Sequence, residues 1–182
     1  MLSAAYLNVA GTSDDNIRLL LRLSARIAFL VLLVIFIARP LRQLFATPAT
    51  AKLLRNRRLL GIAFAGIHTA HLSLILYRAE MIADFSLDIR ESLLGGLTYV
   101  VIYLMFLTSF DATARALGRR NWRVLHKVGL YWVFIAFVPT LLPASLDQLT
   151  GANGIIILLT GVAIVIRLTA FLANRQPKAR QQ

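Results

Sequence analysis

Cysteine is absent from the 182 residues. That excludes disulfides, iron–sulfur clusters, zinc–thiolate centres and thiol nucleophiles, and leaves the redox compartment open. Acids are scarce: 8 Asp and Glu stand against 20 Lys and Arg, a net charge of +12 and a pI of about 11.4. There is no phosphate-binding glycine loop, no hydrolase nucleophile elbow and no metalloprotease helix motif. No internal repeat is evident. Histidine occurs three times, as His68, His71 and His126.

Apolar residues, by contrast, make up 58% of the chain, with a mean hydropathy of +0.71. A soluble domain is nearer half apolar, so the composition points to a membrane protein. A spanning helix needs about 20 apolar residues. Five stretches answer to that, at 19–38, 59–77, 92–110, 124–143 and 154–173. The first carries Arg22 and Arg26 in its leading half; their stems reach toward the membrane surface, which keeps the stretch a span. The expectation is an all-α, five-span helix bundle forming a single transmembrane domain over 1–182.

Charge then orients it. Arg39, Arg42, Lys52, Arg55, Arg57 and Arg58 fall between the first two spans, and Arg115, Arg119, Arg120, Arg123 and Lys127 between the third and fourth. Arg175, Lys178 and Arg180 end the chain. Asp14, Asp15, Glu80, Asp84, Asp88, Glu91 and Asp147 occupy the alternate side. Basic residues stay inside, so the N-terminus is expected outside and the C-terminus inside. The high pI follows from this bias, and nucleic acid is not an expected partner. Leu41–Phe45 and Ala49–Leu54, punctuated by Pro40 and Pro48, suggest a short interfacial helix. The outer connection 79–91 mixes Met81, Ile82, Phe85 and Ile89 with acids, as an amphipathic turn at the interface would. Residues 1–16 end in Asp14-Asp15-Asn16, the wrong order for a cleavable signal.

An imidazole within hydrocarbon is costly and marks a functional position. His68 and His71, three apart, share a helix face. They lie about 14 and 18 Å along the span from Leu59, near mid-membrane. His126 lies only about 5 Å into its own span. Paired histidines on membrane helices hold haem iron, but two axial ligands need a common depth. His68 and His126 differ by roughly 9 Å, and a tilt of about 20° recovers a few ångströms. The blander alternative is a hydrogen bond from each histidine to a neighbouring helix or headgroup.

Arg18, Arg22 and Arg26 form a stripe at i, i+4 and i+8. Pairing with Asp14, Asp15, Asp84 or Asp88 is one reading. The other is a binding edge for haem propionates, a quinone headgroup or lipid phosphate. Tyr99, Tyr103, Tyr131 and Trp132 suit either a ring-shaped cofactor or ordinary packing and belt roles. Asp111 is expected to pair with Arg115 one turn on, and Arg167 to snorkel to the inner surface. Gly95-Gly96 and Gly161 are expected at close helix contacts.

Three stretches carry a resemblance. Arg57-Arg58-Leu59-Leu60-Gly61 followed by His71-Leu72 resembles the third helix of the ferric reductase-like transmembrane family. Thr108-Ser109, Leu117-Gly118, Trp122 and Leu125-His126 resemble the link between its fourth and fifth helices. Arg39-Pro40-Leu41-Arg42 resembles the end of its second. The likeness covers roughly 22–140 and leans to the branch whose members are haem-binding membrane partners of a periplasmic methionine sulfoxide reductase. It implies b-type haem held by membrane histidines, with His71 and His126 at ligand positions and His68 outside the pattern. A further family histidine would fall near Pro139 or Thr140. The chain shows no counterpart of the family's first helix and no flavin or nicotinamide domain. Electrons would therefore come from a partner's quinol or flavin.

The resulting expectation is an electron-transfer subunit of an oxidoreductase in a bacterial inner membrane. His68, His71 and His126 would serve the haem, and Arg22 and Arg26 its propionates. The alternative is a haem-free relative acting as an accessory subunit of a larger membrane complex.

Overall fold

The computed structural model describes residues 14–81, 89–146 and 152–175. Every described element is helical: α1 (Asp14–Leu44), α2 (Pro48–Arg55), α3 (Arg57–Met81), α4 (Ile89–Leu107), α5 (Asp111–Leu117), α6 (Arg119–Leu146) and α7 (Ala152–Arg175). The expected outer turn with Ile82, Phe85, Asp84 and Asp88, residues 1–13, Asp147, and Lys178 and Arg180 of the tail lie outside the described residues.

Each expected span has a helix at its centre, and each helix runs beyond it at one or both ends. α1, α3 and α7 are long and apolar enough to cross a bilayer. α4 and α5 together pass as a fourth candidate, bent by 106°. α1 has 31 residues, a rise of about 46 Å against a hydrocarbon core of about 30 Å. Its basic end therefore extends past the apolar layer. Pro40 lies inside α1 rather than ending it. The short helix expected after it is α2, whose start is a capping box: Thr50 N–H donates to Thr47 Oγ1, and Thr47 N–H to Thr50 Oγ1.

α1 packs mainly against α3 and α7, α6 against α4 and α7, and α3 more lightly against α4. The five long helices thus close around a phenylalanine column. Phe29 of α1 stacks on Phe134 and Phe137 of α6, and Phe36 on Phe134 with centroids 4.1 Å apart. Ala28, Leu32, Ala65, Ile102, Val133 and Ala163 fill in around it. Leu59, Val128, Ile135, Leu158 and Val165 stay exposed on the rim, as lipid-facing side chains do.

Two expectations about contacts are corrected. A Cβ on Gly95, Gly96 or Gly161 would meet nothing within 4 Å, so these glycines do not mark close crossings. Gly129 does: a Cβ there would lie 2.5 Å from Met105 Sδ and 3.1 Å from Val101 Cγ1, where α6 crosses α4. Asp111 pairs with Arg58 across the bundle at 2.7 Å, not with Arg115 on its own helix. A turn of helix keeps i and i+4 close, but α5 is only seven residues long, and α3 begins beside it.

Arg167 is held against the bundle by α1 and α6 rather than extended freely outward. Its guanidinium lies 3.9 Å over the Phe36 ring and 4.4 Å over Tyr131. Nε donates to Tyr131 Oη at 3.0 Å and an Nη to the Phe36 carbonyl at 2.6 Å. The partner of that carbonyl in a regular helix would be the N–H of residue 40. Residue 40 is proline and has none. Arg167 of α7 supplies the donor that α1 lacks.

Candidate functional site

His68 and His71 come together on α3, with ring centroids 5.6 Å apart. His68 is buried at 7% exposure. It stacks on Phe64 one turn below at 5.5 Å, on Tyr99 of α4 at 4.6 Å and against Phe137 of α6 at 5.2 Å. This aromatic cluster joins α3, α4 and α6 at mid-bundle. Among the described residues His68 Nδ1 and Tyr99 Oη are buried there without a hydrogen-bond partner, as is Tyr77 Oη about two turns further along α3.

His71 is held from α1. Its Nδ1 lies 2.8 Å from Ser24 Oγ. Ser24 Oγ also sits 2.7 Å from the Leu20 carbonyl. The His71 tautomer with a bare Nδ1 accepts from Oγ; where the hydroxyl proton goes instead to the Leu20 carbonyl or to the Leu21 carbonyl, 3.1 Å away, Oγ accepts from Nδ1–H of His71. The neutral ring then carries its lone pair on Nε2, the usual form of a metal-ligating histidine oriented by a second partner.

His126 is held in the opposite sense. Its Nε2 lies 3.0 Å from Thr108 Oγ1, which is 2.7 Å from the Leu104 carbonyl. With the hydroxyl proton on that carbonyl, Nε2 is the donor and Nδ1 keeps the lone pair. The Trp122 ring stacks on His126 at 4.3 Å, and its indole N–H donates to the Thr108 carbonyl at 2.8 Å. Thr108 follows Tyr99, the neighbour of His68, by nine residues, about 13 Å of helix rise. His126 thus sits on a different level, and the structure does not bring it to the other two.

Of the arginine stripe, Arg18 pairs with Asp14 at 2.6 Å, as expected, and Asp14 also takes Arg78 of α3 at 2.8 Å. Arg22 is exposed and Arg26 half-buried. Ser24 lies two residues from each, and residues two apart do not share a helix face. Tyr103 bonds Thr69 of α3 at 3.1 Å, and Trp132 donates to Thr98 at 3.2 Å. Tyr131 serves Arg167. Only Tyr99 of the four aromatics touches a histidine.

Haem is the group implied by the sequence resemblance. Among the described residues no three His, Asp or Glu side chains converge as a chelate for a bare ion. A haem iron asks for one or two imidazoles in apolar surroundings. The donor chemistry fits: His71 offers a ring nitrogen beside Ser24, His68 has an unsatisfied nitrogen, and aromatic rings surround His68. The polar atoms left without partners are the kind that a bound group satisfies. Two clefts stand out on the rest of the molecule. One, of about 160 Å³, lies between α1 and α7 beside Leu33, Ile37, Val162 and Ala163. The other, of about 460 Å³, lies at the basic end beside Asp111, Arg115, Arg119 and Trp122. Neither is lined by a histidine.

Sequence reasoning missed Ser24 and the role of Thr108. The available signal was a lone hydroxyl in or at the end of an apolar helix, too common to single out.

No family profile matches the chain, and no solved structure does. Two curated proteins are similar to it. The protein-methionine-sulfoxide reductase heme-binding subunit MsrQ of Cronobacter sakazakii is 32% identical over 126 residues, covering 66% of this chain and 58% of that protein. The protein of the same name from Polaromonas naphthalenivorans is 34% identical over 102 residues, 52% of this chain and 44% of the relative. The chain spans about half the length of the curated relatives it matches. On these matches the chain is a distant homologue of curated proteins named MsrQ heme-binding subunit.

Proposed function

We propose that this protein is a haem-b-associated electron-transfer subunit of the inner membrane, with His71 as iron ligand. The observation that carries the reading is the Ser24–His71 pair, which, with the serine proton on the Leu20 carbonyl, leaves Nε2 of a mid-bundle histidine with its lone pair. The printed names of its relatives support the cofactor and suggest a methionine sulfoxide reductase subunit as partner. The bundle has five spans, with the Asp14 end outside and the Arg175 end inside, as the segregation of acids from bases suggests.

Bound haem supplies a one-electron couple at its iron. The chain's own residues do the rest. Ser24 fixes the ring of His71. Phe64, Tyr99 and Phe137 keep water from the histidines and lower the local dielectric. His68 stands beside His71 as an alternative or additional ligand. His126, about 13 Å nearer the basic end, is a relay position for electrons arriving from a quinol or flavin on a partner. Arg22 and Arg26 offer cations to propionate carboxylates from the outer half of α1. The test is an absorption spectrum of the detergent-purified protein, oxidised and dithionite-reduced. A Soret band with sharp reduced α and β bands, lost in His71→Ala, is expected. A featureless spectrum from haem-replete cells would overturn the reading.

The filling of the space around His68 by Phe64, Tyr99 and Phe137 favours a second reading, a haem-free accessory subunit of a larger membrane complex. Comigration with that complex in mild detergent, without haem, is its signature.

A further inference from the structure

Among the described residues the basic end of the bundle gathers several cations against one acid, Asp111. Arg57 opens α3 and is half-buried. Among the described residues it joins no ion pair. The Ser24–His71 contact sets the register of α1 against α3, and Arg39, 15 residues on from Ser24 (39 − 24), comes to the level of Arg57, 14 residues back from His71 (71 − 57). The fold explains the gathering. Arg167 lies over Phe36 of α1, and Arg39 follows Phe36 by three positions, on a neighbouring part of the same helix surface. Arg42 reaches the Thr47 carbonyl at 3.3 Å, folding the short α2 back so that α3 starts beside the end of α1. Asp111, the one described acid at this end, is occupied by Arg58.

Like charges held close disfavour one another, most of all at half-buried Arg57 and Arg167, while Arg39 is exposed. An anion among them removes that cost, and a phosphate suits several guanidinium groups at once. The setting is that of a membrane surface. Leu59, two residues into α3 from Arg57, is 64% exposed, and Val124 and Val128 on α6 are 55% and 60% exposed. These apolar side chains offer acyl chains a place beside the arginines. Basic pockets between membrane helices at such a level take anionic headgroups.

We propose that Arg39, Arg57 and Arg167 bind the phosphate of an anionic phospholipid at the basic end of the bundle. The site stands whether or not the protein holds haem.

Native mass spectrometry of the full chain, released from mild detergent after incubation with phosphatidylglycerol or phosphatidylcholine, tests it. The expected result is a retained phosphatidylglycerol adduct, at least about tenfold over phosphatidylcholine, as several charge-assisted bonds imply. Arg57→Gln and Arg39→Gln each lose most of that preference, Arg57→Lys keeps part of it, and the exposed control Arg175→Gln keeps it all. Helicity by circular dichroism, unchanged in each variant, separates lost binding from lost fold. Equal retention of both lipids, or a full preference in folded Arg57→Gln, would overturn the proposal. So would displacement of phosphatidylglycerol by millimolar inorganic phosphate, which would identify a soluble phosphate as the ligand.

Discussion

Ser24 Oγ on α1 and His71 Nδ1 on α3 lie 2.8 Å apart, and the Leu20 carbonyl lies 2.7 Å from the same hydroxyl. With the serine proton on that carbonyl, Nδ1–H donates to Oγ and Nε2 stays basic. Removing the hydroxyl frees the ring to turn and to change tautomer. Partners of this kind are worth 10–100-fold in metal affinity. Ser24→Ala is expected to weaken haem binding by about that factor, and Ser24→Thr to restore most of it. Haem titration of the purified variants reads this out. ¹⁵N shifts of His71 in haem-free protein report the tautomer directly and separate the hydrogen bond from the haem reading.

Thr108 holds His126 by the other nitrogen. If Nε2 of His126 is occupied in this way, the Soret band does not depend on Thr108. Thr108→Val is expected to leave the spectrum unchanged, while His71→Ala abolishes it. A spectrum lost in Thr108→Val and kept in His71→Ala would invert the assignment.

Arg167 and Pro40 are coupled through the Phe36 carbonyl. Arg167→Leu leaves that carbonyl without a donor, a cost of about 1–3 kcal/mol. Pro40→Ala returns a backbone N–H to it, so Arg167→Leu should cost less in that background. A double-mutant cycle on unfolding in mild detergent measures the coupling. Strict additivity would show that the two residues act separately.

Gly129 faces Met105 at the α4–α6 crossing. A methionine side chain gives way to a methyl group, so Gly129→Ala is expected to be mild. Gly129→Leu forces the helices apart and should cost about 1–3 kcal/mol. Gly95→Ala, Gly96→Ala and Gly161→Ala meet open space and should be neutral or stabilising by up to roughly 1 kcal/mol. Thermal unfolding in detergent ranks the four sites.

The helices were legible in the sequence because each apolar stretch must hide its backbone within itself, whatever its neighbours do. Even the pairing of His68 with His71 needed only the helical period. What the sequence left open depends on register between helices. Ser24 meets His71, and Arg58 meets Asp111, because helices distant in sequence are aligned to within one turn, and composition does not carry that alignment. The same holds for glycines. Gly95-Gly96 looks like a packing notch, yet Gly129 is the one that faces another helix. Arg167 looked like a snorkelling residue because its partner is a backbone carbonyl, visible in sequence only as a proline four residues on. The separate level of His126 was legible, since it follows from rise per residue alone.

The contacts of Thr108 also bear on the order of assembly. Trp122 and His126 reach it over separations of 14 and 18 residues, and Trp132 reaches Thr98 over 34. Closing such short loops costs little chain entropy. α4, α5 and α6 can therefore find their register early and by themselves. α1 meets α3 over 47 residues at Ser24 and α7 over 131 at Arg167. The contact that orients His71 thus spans a longer loop than those that hold His126, and depends on the docking of α1 against α3.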